Sequence, residues 1–217
     1  MMLYRVEDLS LKQLVADKVK NAILSGGIKP GEKIAEEKIS EALGISRTPL
    51  REAINLLVNY GLVDVVPRRG AFVSHITAEE IIYILMVRLA LEPLGIELAT
   101  KKMIRYERFI DGLTELLEEF NGKKVGQGAE ADIAFHRLIV ESSGNATLLS
   151  VMLPLFYRSI LGMADALLVP GDRWEWVADH QKIVDALAVR DSGVARIAMI
   201  EHLTRVMSKV KKGFKEA

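Results

Sequence analysis

Residues 40–73, SEALGISRTPLREAINLLVNYGLVDVVPRRGAFV, constrain the fold more than any other part of the chain. The segment must break at Gly44, restart a helix at Ser46 and double back at Pro67-Arg68-Arg69-Gly70, which leaves a helix, a glycine turn, a helix and a hairpin. Ser46 is placed to cap the second helix, expected over Arg47 to Tyr60, and Pro49 falls in its first turn, where a missing amide is tolerated. Leu50, Ile54, Leu57 and Val58 share one face of that helix. Gly61 ends it, and Leu62 to Val66 and Ala71 to His75 read as two strands around the basic turn.

The residues before this segment extend the unit. Leu11, Leu14, Val15, Val19, Ala22 and Ile23 form the stripe of an amphipathic helix, capped by Ser10 and closed by Gly26-Gly27. After a Pro30-Gly31 turn, a short helix from about Glu36 to Leu43 turns Ile39 and Leu43 inward, and Ile45 is expected as a buried staple between the two helices.

Arg47, Thr48 and Arg51 lie at the N-terminal end of the second helix, away from its apolar stripe. A helix that enters a DNA major groove carries its base-reading side chains there. An arginine can hold guanine O6 and N7 with two hydrogen bonds, a discrimination of about 1–3 kcal/mol. Arg68 and Arg69 at the hairpin tip suit phosphates or a minor groove. Periodicity alone equally allows both arginine pairs to be a solvated surface.

Composition narrows the class. The chain has 217 residues, half of them hydrophobic and 6% aromatic, which suits a helical protein rich in aliphatic side chains. It has no cysteine, so disulfides and thiolate metal sites are excluded. The first residues, MMLYRVEDLSLKQLV, are charged too early for a signal peptide. The apolar run Ile81 to Val87 falls far short of the roughly 18 residues of a membrane span, and a soluble cytoplasmic protein is expected. Net charge is zero; residues 1–76 hold 11 Lys/Arg against 9 Asp/Glu, and the remainder 18 against 20. Any contact with DNA must therefore come from a local patch.

From Thr77 the pattern is helical throughout. Thr77-Ala-Glu-Glu80 reads as a capping box opening a long helix in which Pro93 is expected to form a kink. Further helices are expected at about 105–121, 129–142, 146–168, 174–190 and 193–212. They make an antiparallel all-helical bundle. The chain thus divides into a winged helix-turn-helix over 1–76 and a bundle over 77–217. Trp174 and Trp176 are expected to pack the bundle or a dimer face.

Three of the four histidines, His136, His180 and His202, fall in the bundle on three different helices. Asp132 and His136 are four residues apart and project from one helical face. Three imidazoles and a carboxylate make a donor set fit for Zn, Ni, Mn or Fe; the alternative is three ordinary core or surface histidines. Arg88 sits in an apolar stretch with Glu92 one turn further on, the spacing of an ion pair.

Residues 36–73, EEKISEALGISRTPLREAINLLVNYGLV followed by PRRGAFV, resemble the winged helix-turn-helix of the GntR family of bacterial repressors. The resemblance implies that Ser46, Arg47, Thr48, Pro49 and Arg51 contact DNA, together with the wing around Arg68, Arg69 and Gly70. Some members carry an arginine in the preceding helix where this chain has Glu37, so no base contact is expected from there. DIAFHRLIVESSGNATL, DHQKIVDALAVRD and MIEHL are similar to the FCD effector domain of the FadR branch. That likeness implies a divalent metal on Asp132, His136, His180 and His202, and a small carboxylic acid effector held by Arg88, with Asn145 near the same pocket. The expected function is a metabolite-responsive regulator, a repressor acting as a homodimer on a palindromic operator. A metal-dependent hydrolase built on the bundle is the alternative, although no HExxH motif and no obvious general base accompany the ligands.

Overall fold

A computed structural model of the chain describes residues 11–102, 106–122, 129–163 and 173–216. The helical class with a small wing expected from the sequence is what it shows. The first unit holds α1 (Leu11–Leu24), α2 (Glu36–Leu43), α3 (Arg47–Asn59) and the strands β1 (Val63–Val66) and β2 (Gly70–Val73). The second holds α4 (Ala78–Lys102), α5 (Tyr106–Gly122), α6 (Ala129–Ser142), α7 (Ala146–Met163), α8 (Arg173–Ala188) and α9 (Ser192–Glu216). The division falls between Ser74 and His75.

In the first unit α1 packs on α3 through Val15, Ala16, Val19 and Ile23, against Leu50, Ala53, Ile54 and Leu57. Several expected core positions are exposed instead. Leu11 and Leu14 are half in solvent, and Val58 is also exposed. The buried stripe of α1 starts one turn later than periodicity suggested, and the inward position of α3 next to Ile54 is taken by Ala53. Ile39, Leu43 and Ile45 are only half-buried, because α2 is a single short layer on α3; its buried residue is Ser40.

Gly44 takes φ +64°, the left-handed conformation that favours glycine, and its amide closes onto the Glu41 carbonyl. Ser46 occupies the cap position in extended backbone, but its hydroxyl makes no capping bond. β1 and β2 pair antiparallel with Val63 opposite Val73 and Val66 opposite Gly70. Residues 31–34 lie along the other edge of β2, with Gly31 N–H donating to Val73 and Ile34 N–H to Ala71. Sequence periodicity does not reveal that third edge, since it is a single bridge rather than a strand.

In the second unit the capping box forms as expected. Thr77 N–H donates to Glu80 Oε2 at 2.9 Å and Glu80 N–H to Thr77 Oγ1 at 3.3 Å. α4 then runs unbroken past Pro93 and packs on α6, α7 and α9. At the α4–α7 crossing a side chain on Gly162 would sit 2.6 Å from Ile81 Cγ1, so only glycine fits. Of the described helices α7 is long and apolar enough to cross a membrane, but half of it is buried inside the fold, the behaviour of a core helix. Asp191 Oδ1 caps α9 by accepting Val194 N–H, and Tyr106 ties α5 to the end of α8 through the Leu187 carbonyl. Residues 164–168 of the expected fourth helix and the side chains of Trp174 and Trp176 lie outside the described residues.

Candidate metal centre and nucleic-acid interface

α4 lays out two faces. Ile81, Ile84, Leu85, Arg88, Glu92, Ile96 and Ala99 point inward, and the two charged residues among them are 2% and 0% exposed. Arg88 Nε donates to Glu92 Oε1 at 2.6 Å, the ion pair expected from their spacing. The Arg88 guanidinium also lies 5.2 Å from the Phe156 ring centroid. The opposite face of α4 exposes Tyr83, Met86, Val87 and Leu94.

α6 delivers Asp132 and His136, α8 delivers His180 and α9 delivers His202; all four are buried. One ligating nitrogen from each of the three histidines lies within 4.8 Å of the others. His136 Nε2 and His180 Nε2 are 3.3 Å apart, and Asp132 Oδ1 is 3.3 Å from His180 Nε2 and 3.8 Å from His136 Nε2. Metal–nitrogen bonds of about 2.0–2.1 Å in a tetrahedron separate neighbouring donors by about 3.3–3.4 Å. The spacing therefore fits a metal ion. His202 Nδ1 is buried and without a hydrogen-bond partner, an unmet polar atom at the edge of the set.

The electrostatics agree with that chemistry. Burial alone would raise the Asp132 carboxyl, but His136, His180 and Arg88 more than reverse this and hold it below the carboxylate range. Burial, then the neighbouring His180 and His136, push His202 well below its ordinary value, which keeps the imidazole neutral and able to ligate. A crevice too narrow for a water molecule is lined by Leu116, Leu117, Ala131, Asp132, Phe135 and His180.

Two carboxylates near these ligands escaped the sequence reading. Glu92 Oε2 lies 2.5 Å from His136 Nδ1, and Asp179 Oδ2 accepts from Arg205 at 2.7 Å while lying 4.0 Å from His202 Nδ1. Only the position of Asp179 beside His180 in the sequence could have drawn attention to it. Asn145, an expected effector contact, is half-buried and caps α7: its Oδ1 accepts Leu148 N–H at 3.0 Å, and its own N–H donates to Ser143 Oγ.

In the first unit Ser46, Arg47, Thr48 and Arg51 are all exposed around the start of α3, with Pro49 half-buried beside them. Arg47 Nη2 donates to Glu37 Oε1 at 2.7 Å and Arg51 Nε to Glu36 Oε2 at 3.0 Å. The first turn of α2 thus holds both arginines, a pairing between helices that no local spacing reveals. The wing turn places Arg68 at φ +63°, with Arg69 N–H bonded to the Val66 carbonyl and Pro67 at the second position of the turn. That conformation disfavours a side chain, yet an arginine occupies it and is exposed. Gly70 takes φ +107°, and a side chain there would come 3.2 Å from Lys33 Cε. Lys33 therefore adds a third cation beside Arg68 and Arg69.

The comparisons with known proteins match this layout. Residues 11–73 match the model for bacterial regulatory proteins of the gntR family, and residues 83–205 that for the FCD domain. The chain is 29% identical over 202 residues to the "Probable D-xylose utilization operon transcriptional repressor" of Paenarthrobacter nicotinovorans, covering 92% of this chain and 88% of that one. It is 26% identical over 206 residues to the gluconate operon transcriptional repressor of Bacillus licheniformis, covering 91% and 84%. The solved structure of McbR/YncC from E. coli superposes with a TM-score of 0.81 at 22% identity, over 95% of this chain and all of that one. The family and these relatives are regulators, which sets the hydrolase alternative aside. The chain belongs to the gntR family of bacterial regulatory proteins, with an FCD domain following its DNA-binding winged helix-turn-helix in the sequence, and is a transcription regulator, not an enzyme.

Proposed function

We propose that this regulator is a metal-containing repressor that releases or grips its operator in response to a small carboxylic acid. The observation that carries this reading is the buried donor set Asp132, His136, His180 and His202, with the buried guanidinium of Arg88 one side chain away, joined to His136 through Glu92. A divalent ion (Zn, Ni, Mn or Fe) held by these four would offer a Lewis-acidic position to an oxygen ligand. The guanidinium of Arg88 would take the far end of the carboxylate. For Asn145 an effector contact rests on the family resemblance alone, because its side-chain oxygen is spent on capping α7.

DNA contact is assigned to Ser46, Arg47, Thr48, Pro49 and Arg51 on α3 and to Arg68, Arg69 and Gly70 on the wing. One recognition helix reads few bases, so two copies on a palindrome are required for useful affinity. The exposed stripe Tyr83, Met86, Val87 and Leu94 on α4 supports self-association, since it is an apolar face about three turns long on one helix. The same helix carries Arg88 and Glu92 on its other side, so an effector that moves α4 acts on a shared face directly. A protein working on the chromosome of a bacterium belongs in the cytoplasm.

The test joins three measurements. Elemental analysis of protein purified without chelator should return one divalent ion per chain. A thermal-shift screen of small carboxylates should find stabilisers that lose their effect after chelation. Binding to selected operator DNA, followed by sedimentation, should give two chains per site. Absence of any stoichiometric metal in protein that still binds its operator would remove the sensing half of the proposal.

A further inference from the structure

We propose that Glu92 is the positioning residue that presents His136 to the metal and couples that ligand to Arg88. The inference rests on the metal reading above and adds a residue to it.

Glu92 is completely enclosed, and both its oxygens are engaged. Oε1 accepts Arg88 Nε–H at 2.6 Å, and Oε2 lies 2.5 Å from His136 Nδ1. A guanidinium does not give up its proton in a protein, and a buried one needs a counter-charge. Arg88 is 2% exposed, and Glu92 is the carboxylate bonded to it, so Glu92 is ionised. An ionised carboxylate only accepts hydrogen bonds. His136 Nδ1 must then carry the proton, and the lone pair stays on Nε2. Nε2 is the atom that lies 3.3 Å from His180 Nε2 and faces Asp132. The wrong tautomer would point an N–H at the place a metal occupies.

The two halves of the carboxylate are not independent. A ligand that draws Arg88 away from Oε1 leaves more negative charge on Oε2, which makes His136 a stronger donor. Binding at Arg88 and binding at the histidines are therefore linked, each altering the affinity of the other by the same factor. Arg88 and Glu92 are one turn apart on α4 and His136 is on α6, so the link bridges two helices in a single side chain.

The experiment uses the full chain, with Zn²⁺ as the probe, measured in competition with a chromophoric chelator. In metal-free wild type, nitrogen-15 NMR of the imidazoles should show His136 protonated at Nδ1. In Glu92→Gln the amide oxygen still accepts from Arg88 and the NH2 donates to Nδ1, so His136 should switch to the Nε2–H form. Zn²⁺ affinity should fall by about 10- to 100-fold at unchanged stoichiometry. Arg88→Gln should change Zn²⁺ affinity in the wild-type background and have little effect in Glu92→Gln.

A wild-type His136 protonated at Nε2 overturns the inference, and this arm needs no variant to fold. Equal Zn²⁺ affinity of wild type and Glu92→Gln overturns the inference while leaving the metal site intact. An equal effect of Arg88→Gln in both backgrounds overturns the coupling. A wild type that takes up no Zn²⁺ overturns the metal reading and the inference with it.

Discussion

Arg47 and Arg51 are held by Glu37 and Glu36, so the proposed DNA contacts of these arginines would exchange two carboxylates for bases and phosphates. Exposed pairs of this kind contribute about 0–1 kcal/mol to stability. Their effect falls on recognition instead. Glu37→Gln should tighten binding to any duplex and narrow the gap between operator and random DNA, measured as the ratio of the two Kd values at fixed salt; an unchanged ratio counts against the restraint. Arg51→Ala should weaken operator binding by about 1–3 kcal/mol and relax preference at one base pair. Isotherms on a set of single-base operator variants check this, and unaltered affinity removes Arg51 from the reading side chains. These arginines were legible in the sequence because they sit outside the apolar stripe of α3. Their acidic partners were not, because the pairing crosses the turn at Gly44.

At the scale of single elements, helix ends were the most readable features. The Thr77–Glu80 box lies as the sequence placed it, and Asp191 shows the same logic at α9. Hydrogen bonds from Thr77 backbone and hydroxyl, outweighing slight burial, lower the Glu80 carboxyl below its ordinary 4.5. A carboxyl with a depressed folded value stabilises above its unfolded pKa, and that contribution disappears as pH falls through the folded value. Thr77→Ala should destabilise by about 1 kcal/mol near neutrality, and the deficit should shrink below pH 4.5. Urea titrations at neutral and acidic pH test this; a deficit independent of pH would mean that the acid takes no part in the cap. Stripe edges were read less well. Leu11, Leu14 and Val58 fit the helical period but are exposed, since periodicity identifies a face and not how far the neighbouring helix extends over it.

For the whole molecule, metal and fold should be thermodynamically linked, because the donors come from three helices far apart in sequence. A ligand bound only by the folded state stabilises by mass action. Chelation should lower the Tm of wild type, and His136→Ala should start lower and ignore the chelator. Scanning calorimetry with and without chelator decides, and equal sensitivity of the two proteins would mean that the ion sits elsewhere. α4 unites the inward Arg88 and Glu92 with the outward stripe of Tyr83, Met86, Val87 and Leu94. That shared helix is the physical reason to expect sensing and self-association to respond to one another.

The sequence by itself determined the helix order, the break at Gly44, the wing and the capping box, and it singled out Asp132, His136, His180 and His202 as candidate donors. Each of these is written in local spacing, in turn chemistry or in residue types scarce enough to stand out. The tertiary structure alone decided that His136 and His180 come within 3.3 Å, that Glu92 bridges Arg88 to His136, and that Glu36 and Glu37 hold Arg51 and Arg47. These are meetings between helices, set by how the bundle and the helix-turn-helix pack. Hydrophobic pattern specifies which face of a helix turns inward; it does not specify which residue of another helix it will meet.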